Sequence, residues 1–241
     1  MKDTYDTIIW GPSLGGIKTA IELQQEGRKV LLAGKFGFPG GKATESLSCL
    51  FSSGYFNDDG ILSRFLKLVE GLKYGILYRN DQWILMHPEA VKRVCWQLLE
   101  ENKTELLFHV IPLGFQTGHP MRMDVFGREG KFTLEARQIL DMSDDRNLNN
   151  LNGGHEDYDI VINSFFHDPL PAHFPGFSII RSIQTPIGQY VSVSLKNVPS
   201  KEIERTFNRE LDRLSIESWK KHQARILMVP VYPEVKQEEG R

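Results

Sequence analysis

Apolar and polar positions near the start of the chain predict a strand, a helix and a second strand. Thr7–Trp10 is a short apolar run that stops at a glycine, as a buried strand does. Apolar side chains then recur at helical spacing from Leu14 to Ile21, and Gly27 follows where a helix is expected to end. Val30–Ala33 is a second apolar run. This order predicts a right-handed βαβ unit.

The middle of the chain contains two amphipathic helical patterns, followed by short β segments. Ile61–Leu72 and Pro88–Glu101 place apolar residues on one side of a helix, and proline suits the first helical turn. Glu105–Ile111 predicts a strand. The region Phe115–Ala136 predicts a β meander with a hairpin turn at Arg128–Lys131.

The last third of the chain predicts strands around one long charged helix. Tyr158–Asn163, Gln189–Leu195 and Arg225–Val231 have strand patterns. Ser200 is placed to cap a helix over Lys201–Lys221, whose apolar residues recur on one face.

Composition and charge exclude several classes of function. The 241 residues are 40% hydrophobic, which is enough for one large domain or a large domain with a smaller appendage. The net charge of −2 predicts neither a nucleic-acid partner nor an anionic membrane partner. No apolar run approaches the roughly 18 residues of a membrane span, and the polar N-terminus is unlike a signal peptide. With two cysteines, the sequence predicts a cytoplasmic protein.

The turn after the first strand has the spacing of a dinucleotide-binding loop. In the Gly-x-Gly-x-x-Gly pattern, the glycines permit a tight turn, close approach of a pyrophosphate and close packing of the helix. Gly11 and Gly16 stand at the first and third positions, and Ser13 stands at the second, where its hydroxyl is able to donate to a phosphate. An alternative stays open, in which the glycines serve helix–strand packing alone.

Residues Tyr5–Leu32, followed by Phe38–Thr44, resemble the start of FAD-dependent oxidoreductases of the glutathione-reductase type. Those families combine the glycine turn with a Gly-Gly-x-x-Thr loop, and continue through helices and a meander into a strand that ends near Ala-Thr-Gly-Asp. This chain follows that order to about residue 150, with Met142–Asp145 at the last motif. The resemblance implies FAD, with its pyrophosphate over Gly11–Gly16 and its isoalloxazine near Gly41–Thr44.

The residues that the resemblance assigns to the cofactor lie in the glycine turn, at the end of the second strand and in the Gly-Gly loop. They are Gly11, Pro12, Ser13, Leu14, Gly15, Gly16, Gly34, Lys35, Gly41, Lys42, Ala43 and Thr44. The expected fold class is α/β, with a Rossmann-like FAD/NAD(P)-binding parallel sheet, a β meander and a smaller α+β C-terminal portion. The expected domains are a dinucleotide-binding domain over 1–157 with a helical insertion at about 42–103, a C-terminal portion over 158–233, and a mobile tail over 234–241.

The sequence departs from the family at the ribose and flavin ends of the cofactor. The family ends its second strand with a carboxylate that binds the adenosine ribose, whereas this chain has Gly34 followed by Lys35. A cation at Lys35 suits the 2′-phosphate of NADP, so an NADP-binding reductase stays open. The late Gly-Asp motif of the family is missing, which points to a contribution from a partner subunit or from a variant C-terminal region.

The sequence identifies no catalytic residue and no substrate beyond a small molecule. Cys49 stands alone where disulfide reductases of this type keep a pair, so it is predicted to be a packed thiol. His167, Asp168 and His173 flank a proline-rich loop without a further ligand, so no metal site is predicted. Two interpretations therefore stand beside NADP binding: a FAD-dependent oxidoreductase, and a non-catalytic descendant that acts as a complex subunit. A homo-oligomer is also compatible with the sequence.

Overall fold

The chain begins with alternating strands and helices and continues mainly as antiparallel strands. The computed structural model describes residues 5–57, 60–144, 148, 151 and 157–236. The strands are β1 (Tyr5–Trp10), β2 (Val30–Ala33), β3 (Leu50–Ser52), β4 (Ile76–Arg79), β5 (Trp83–Met86), β6 (Glu105–Leu107), β7 (Ile111–Gln116), β8 (Met121–Gly127), β9 (Gly130–Asp141), β10 (Asp157–Phe166), β11 (Ser178–Thr185), β12 (Gly188–Pro199), β13 (Ile226–Met228) and β14 (Glu234–Lys236). The helices are α1 (Leu14–Gln25), α2 (Lys42–Glu45), α3 (Ile61–Glu70), α4 (Pro88–Glu101) and α5 (Ile203–His222), with 3-10 turns at Ser53–Phe56 and Ser200–Glu202.

Contacts divide the chain into two compact units, each formed from separate stretches of sequence. The first unit contains the described residues within 1–41, 56–68 and 91–154. The second unit contains those within 42–55, 69–90 and 155–241. The predicted boundary between residues 157 and 158 stays a prediction.

The first unit is built on a six-stranded sheet in the order β6-β2-β1-β9-β8-β7. β1 pairs in parallel with both β2 and β9, and β2 pairs in parallel with β6. β7, β8 and β9 form the antiparallel meander. The predicted βαβ unit, meander and α/β class are therefore confirmed. The core of this unit includes the buried residues Ile8, Trp10, Leu31, Ala33, Val110, Met123, Val125, Ala136 and Ile139.

Helix α1 connects β1 to β2. It has one apolar face, and specific residues cap its start and end. Leu14, Ile17 and Ile21 are buried. Ser13 has extended backbone angles and caps the N-terminus through its side chain. Gly27 follows the helix with φ of 83°, which a glycine adopts without strain.

The second unit contains an antiparallel sheet in the order β11-β12-β10-β13, with β14 also paired to β10. A separate three-stranded sheet has the order β3-β5-β4. Helix α5 contributes Phe207 and Leu214 to a core that includes Ile160, Ile162 and Phe166 of β10. Among the described residues, no helix is both long enough and apolar enough to cross a lipid bilayer.

Several predicted elements differ from the structure. The predicted helical insertion contains the β3-β5-β4 sheet, because strands of three or four residues leave too little periodicity to detect. The predicted strand Glu105–Ile111 is divided, since His109 has a φ of 59° between β6 and β7. The last predicted strand is shorter, over Ile226–Met228.

Other differences lie at the ends of elements in the second unit. Ser200 does not cap α5, which begins after Glu202 without a side-chain cap. β11 was not predicted, although its exposure alternates along its length. Residues Glu234–Lys236 of the predicted tail form β14, because they complete hydrogen bonds along β10. Residues 237–241 lie outside the described residues.

Strand β7, at one edge of the six-stranded sheet, exposes apolar side chains and has an irregular backbone. Ile111 and Leu113 of β7 and Phe126 of β8 are about half exposed. Pro112 stands between the first two residues and has no N–H group to offer. The pairing register of β7 with β8 shifts between Pro112 and Gly114.

Both cysteines are packed in the interior of their units. Cys49 and Cys95 have no solvent exposure. The Cys49 thiol donates to Ala43 O at 2.9 Å. Burial raises the pKa of both thiols far above the usual range. The prediction that Cys49 is a packed thiol is confirmed.

Leu214→Ala is expected to lower the free energy of unfolding by about 3 kcal/mol, because a fully buried side chain leaves a cavity. Ile216→Ala is the matched control on the same helix, since Ile216 is 50% exposed and its loss is expected to change stability by less than about 1 kcal/mol. Urea denaturation followed by circular dichroism measures both. Equal losses for the two variants would contradict the burial pattern of α5.

The stability of the protein is expected to fall as the pH rises above about 8.5, where unfolded thiols ionise and the buried thiols do not. The contribution of each neutral thiol is complete below that pH. Above that pH, each buried thiol lowers the free energy of unfolding by about 1.4 kcal/mol for each further pH unit. Urea titrations across this range measure the slope. The double variant Cys49→Ala, Cys95→Ala should have a flatter profile, and an unchanged slope would contradict the assignment.

Candidate functional site

The turn between β1 and α1 is formed by glycines that lie against the end of β9. Gly11 has a φ of 100°, and its N–H donates to Ala33 O at 2.9 Å. A Cβ at Gly11 would lie 2.7 Å from the carbonyl carbon of Met142, and a Cβ at Gly16 would overlap the carbonyl oxygen of Gly11. Both glycines are therefore required by close backbone approach within the first unit.

Ser13, at the second position of the motif, makes two hydrogen bonds through its side chain. Its Oγ accepts a hydrogen bond from Gly16 N at 3.1 Å and donates to Met142 O at 2.8 Å. The residue is buried. A hydroxyl has a single proton, so Ser13 uses that proton to join the turn to the chain after β9 rather than to offer it to a phosphate.

Two backbone N–H groups at the start of α1 have no acceptor within the described part of the chain. Ile17 N donates to Ser13 O, and Gly16 N is bound by the Ser13 side chain. Among the described residues, no acceptor is bound to the N–H groups of Leu14 and Gly15, and the first helical turn contains no acid. The positive end of the helix dipole lies at the same place. This arrangement is able to bind an anion such as a phosphate.

The end of β2 is closed by a proline of the glycine turn. A Cβ at Gly34 would lie 2.7 Å from Pro12 Cδ and 2.9 Å from Pro12 Cγ. Gly34 also donates to Leu107 O and accepts from Val110 N. The place where the resemblance implies an acid therefore has no room for a side chain. Lys35 follows, with its ammonium group 5.3 Å from the centre of the Phe36 ring.

The first half of the Gly-Gly loop packs on the glycine turn. Gly40 N donates to Pro12 O at 2.7 Å. Gly41 has a φ of 55°, and a Cβ there would lie 2.8 Å from Ser13 Cα and would overlap the Asp144 carboxylate. Gly11–Gly16, Gly34 and Gly41 are thus brought together in the first unit.

The second half of the predicted loop belongs to the second unit. Lys42, Ala43 and Thr44 form the start of α2. Lys42 is exposed, whereas Ala43 and Thr44 are buried. Their assignment to the cofactor stays a prediction.

The chain after β9 contacts the turn in a way that sequence reasoning did not find. Met142 N donates to Trp10 O at 2.7 Å. The Asp141 carboxylate accepts from Ser143 N at 3.1 Å, from Ser143 Oγ at 2.5 Å and from Leu148 N at 3.0 Å. An aspartate two residues before a serine is the available signal for this turn. Asp145, which the sequence also placed in this motif, lies outside the described residues.

At the start of the proline-rich loop, His167 and Asp168 form a surface cluster with Arg225. Asp168 bonds His167 Nδ1 at 3.0 Å and Arg225 Nε at 3.2 Å. The hydrogen bond to His167, and then the one to Arg225, lower the pKa of Asp168. Within the described ranges, no group of three histidine, cysteine or acidic residues is placed to hold a metal ion.

Solved structures share this fold at low sequence identity. The anhydrotetracycline hydroxylase OxyS from Streptomyces rimosus matches 97% of this chain and 52% of its own, with 12% identity and a TM-score of 0.61. The p-nitrophenol 4-monooxygenase PnpA from Pseudomonas putida DLL-E4 matches 98% and 69%, with 14% identity and a TM-score of 0.60. A ternary complex of aklavinone-11 hydroxylase with FAD and aklavinone matches 95% and 53%, with 13% identity and a TM-score of 0.60.

These similarities show the fold, and the chain spans about half the length of OxyS and of the aklavinone-11 hydroxylase. No curated protein matches the chain. The model of the FAD dependent oxidoreductase family matches residues 6–158, which is more than half of the 241 residues and includes all of β1 but its first residue, the glycine turn and the whole meander. The chain belongs to the family of FAD dependent oxidoreductases.

Proposed function

We propose that the protein binds FAD, with the pyrophosphate at the glycine turn, and acts as a flavoprotein oxidoreductase on a small molecule. The observation that carries this proposal is the pair of N–H groups of Leu14 and Gly15, which meet no protein acceptor among the described residues. They lie at the positive end of α1, next to a turn that Gly11 makes possible.

The residues of the turn fit the pyrophosphate part of FAD. Gly15 is partly exposed, and a Cβ there would have only the Met142 methyl group and the Ser13 hydroxyl within 4 Å. No acidic side chain in the first helical turn opposes a negative ligand. When FAD is bound, its isoalloxazine supplies the electron transfer, and these residues bind and orient it.

The ribose part of the cofactor requires a different explanation from that of related chains. The Pro12 ring occupies the space beside Gly34, so a carboxylate does not fit there. In the proposed complex, the backbone around Gly34 faces the adenosine, and no carboxylate binds the ribose there. Without this carboxylate, the adenosine ribose lacks one hydrogen bond, whereas the pyrophosphate contacts at the glycine turn are unaffected.

Two observations favour a second candidate, a non-catalytic descendant of the fold that acts in a complex. Ser13 donates its proton to Met142 O, and Gly41 is packed between Ser13 and the Asp144 carboxylate. Both contacts stabilise the turn without a ligand. Under this alternative, the glycines serve helix packing alone. A third candidate, NADP binding through Lys35, rests on the charge of that residue.

The wider assignments belong to the same proposal. They comprise membership of the glutathione-reductase-type group, a cytoplasmic location, and a partner subunit or second copy that supplies the missing Gly-Asp contact. The family match and the fold support the flavoprotein class. Absorbance of the purified protein and its mass in solution test cofactor and partner separately.

FAD is expected to raise the stability of the protein by about 2.7 kcal/mol at one hundred times its Kd, and Gly11→Ala is expected to abolish this effect. Gly11 has a φ that is unfavourable for alanine, and the added Cβ would overlap the backbone of Ser143. Gly130→Ala is the matched control, because Gly130 has a similar φ of 94° in open space. Flavin fluorescence and thermal melting measure binding.

Three outcomes decide between the candidates in this experiment. Retention of FAD binding by Gly130→Ala and its loss in Gly11→Ala support the proposal. A colourless wild-type protein that FAD does not stabilise overturns it and favours the non-catalytic candidate. Stabilisation by NADP, but not by FAD or NAD, favours the third candidate.

Gly34→Glu alone is expected to destabilise the protein, because its Cβ meets the Pro12 ring, and it should not improve FAD binding. Combined with Pro12→Ala, which removes Cγ and Cδ, the same change should fold and bind FAD more tightly, by about tenfold for one charge-assisted hydrogen bond to the ribose. Pro12→Ala alone is the control. Equal FAD affinity in the double variant and the control would contradict this account of the ribose site.

A further inference from the structure

The segment 43–49, which follows the Gly-Gly loop, is tied to the C-terminal part of the second unit. Glu45 O accepts hydrogen bonds from Val231 N at 2.9 Å and from Tyr232 N at 3.1 Å. The next two carbonyl groups, of Ser46 and Leu47, are also bound by residues far away in sequence. Three consecutive carbonyl groups are therefore held from outside the segment.

The side chain of Asn163 on β10 organises this attachment. It has no solvent exposure, its Nδ2 has two acceptors, and its Oδ1 faces two hydroxyl groups. Its Nδ2 donates to Ser46 O at 3.0 Å and to Glu234 Oε2 at 3.1 Å. Its Oδ1 lies 3.0 Å from Tyr190 Oη and 2.6 Å from Ser192 Oγ. The reversed amide would direct its oxygen at two acceptors, so the orientation of Asn163 is defined.

The hydroxyl of Tyr190 on β12 holds the most unusual residue of the segment. Leu47 is buried and has a φ of 50°, a region that residues with a Cβ rarely adopt. Leu47 O lies 3.1 Å from Tyr190 Oη and also accepts from Cys49 N at 2.9 Å. Tyr190 is fully buried, and its single hydroxyl proton is shared between Leu47 O and Asn163 Oδ1.

We propose that Tyr190 and Asn163 are positioning residues, which hold segment 43–49 with Leu47 in its left-handed conformation and thereby fix the Lys42–Thr44 stretch for the cofactor. The holding of the segment follows from contacts within the second unit. The consequence for the cofactor rests on the proposed function, because Lys42, Ala43 and Thr44 are predicted cofactor residues.

The buried thiol of Cys49 makes the holding of the segment measurable. It donates to Ala43 O, so it reacts with a thiol reagent when the segment opens. Tyr190→Phe is expected to raise the labelling rate of Cys49 in the folded protein by about tenfold, as expected when one buried hydrogen bond is lost. Tyr158→Phe is the matched control, since Tyr158 lies on the same sheet and makes no hydrogen bond through its hydroxyl within the described part of the chain.

Two further thiols separate opening of the segment from unfolding. Cys95 reports on the first unit, and a thiol introduced by Ser164→Cys reports on β10 in the second unit. Faster labelling of Cys49 alone supports the proposal. Equal acceleration at the introduced thiol means that the whole sheet opens and overturns it. Unchanged labelling of Cys49 in Tyr190→Phe also overturns it.

FAD titration of the same variants tests the consequence for the cofactor. Tyr190→Phe should weaken FAD binding several-fold, and Tyr158→Phe should leave it unchanged. Unaltered FAD affinity in Tyr190→Phe, together with faster Cys49 labelling, overturns the positioning role while the attachment of the segment stands. A wild-type protein that binds no FAD refutes the proposed function and the cofactor role together, and the thiol experiment then decides the attachment by itself.

Discussion

Close backbone approach at the end of β1 is the constraint on which the first unit depends. The chain leaves β1 at Gly11 and passes directly against Met142 and Ser143, at the end of β9. A side chain at Gly11 or Gly16 would separate helix α1 from the parallel strands that it connects. The Ser13 hydroxyl strengthens this contact by bonding both the helix start and Met142 O. The turn, the helix and the sheet are therefore fixed by the same few atoms.

The same closeness determines what the turn offers to a ligand. Gly34 is covered by the Pro12 ring, and Gly41 packs on Ser13, so the turn is enclosed by protein on two sides. The donors that it offers to a ligand are backbone N–H groups at the start of α1 rather than side chains. Recognition of an anion through backbone donors places few demands on the side chains around a turn, so Ser13 and Gly34 are compatible with the match to the family model.

The sequence predicts those parts of the structure that local periodicity and turn chemistry determine. β2 and α4 have the predicted bounds, and the glycine turn lies where the motif places it. The three-stranded sheet was missed because each of its strands is shorter than the pattern needed to recognise it. The network of Asn163 and Tyr190 was missed for another reason. Its members look like ordinary strand residues and lie 27 positions apart in the chain, so only the register of β10 and β12 brings them together.

The irregular outer strand of the meander has a consequence for the behaviour of the protein in concentrated solution. A regular apolar strand at the edge of a sheet invites the edge of another molecule to pair with it. β7 exposes apolar side chains, yet Pro112 removes one donor and the shifted register at Gly114 bends the strand. The hydrogen-bonding ladder along β7 is interrupted, so β7 is a poorer template for pairing with another molecule than a regular apolar strand would be.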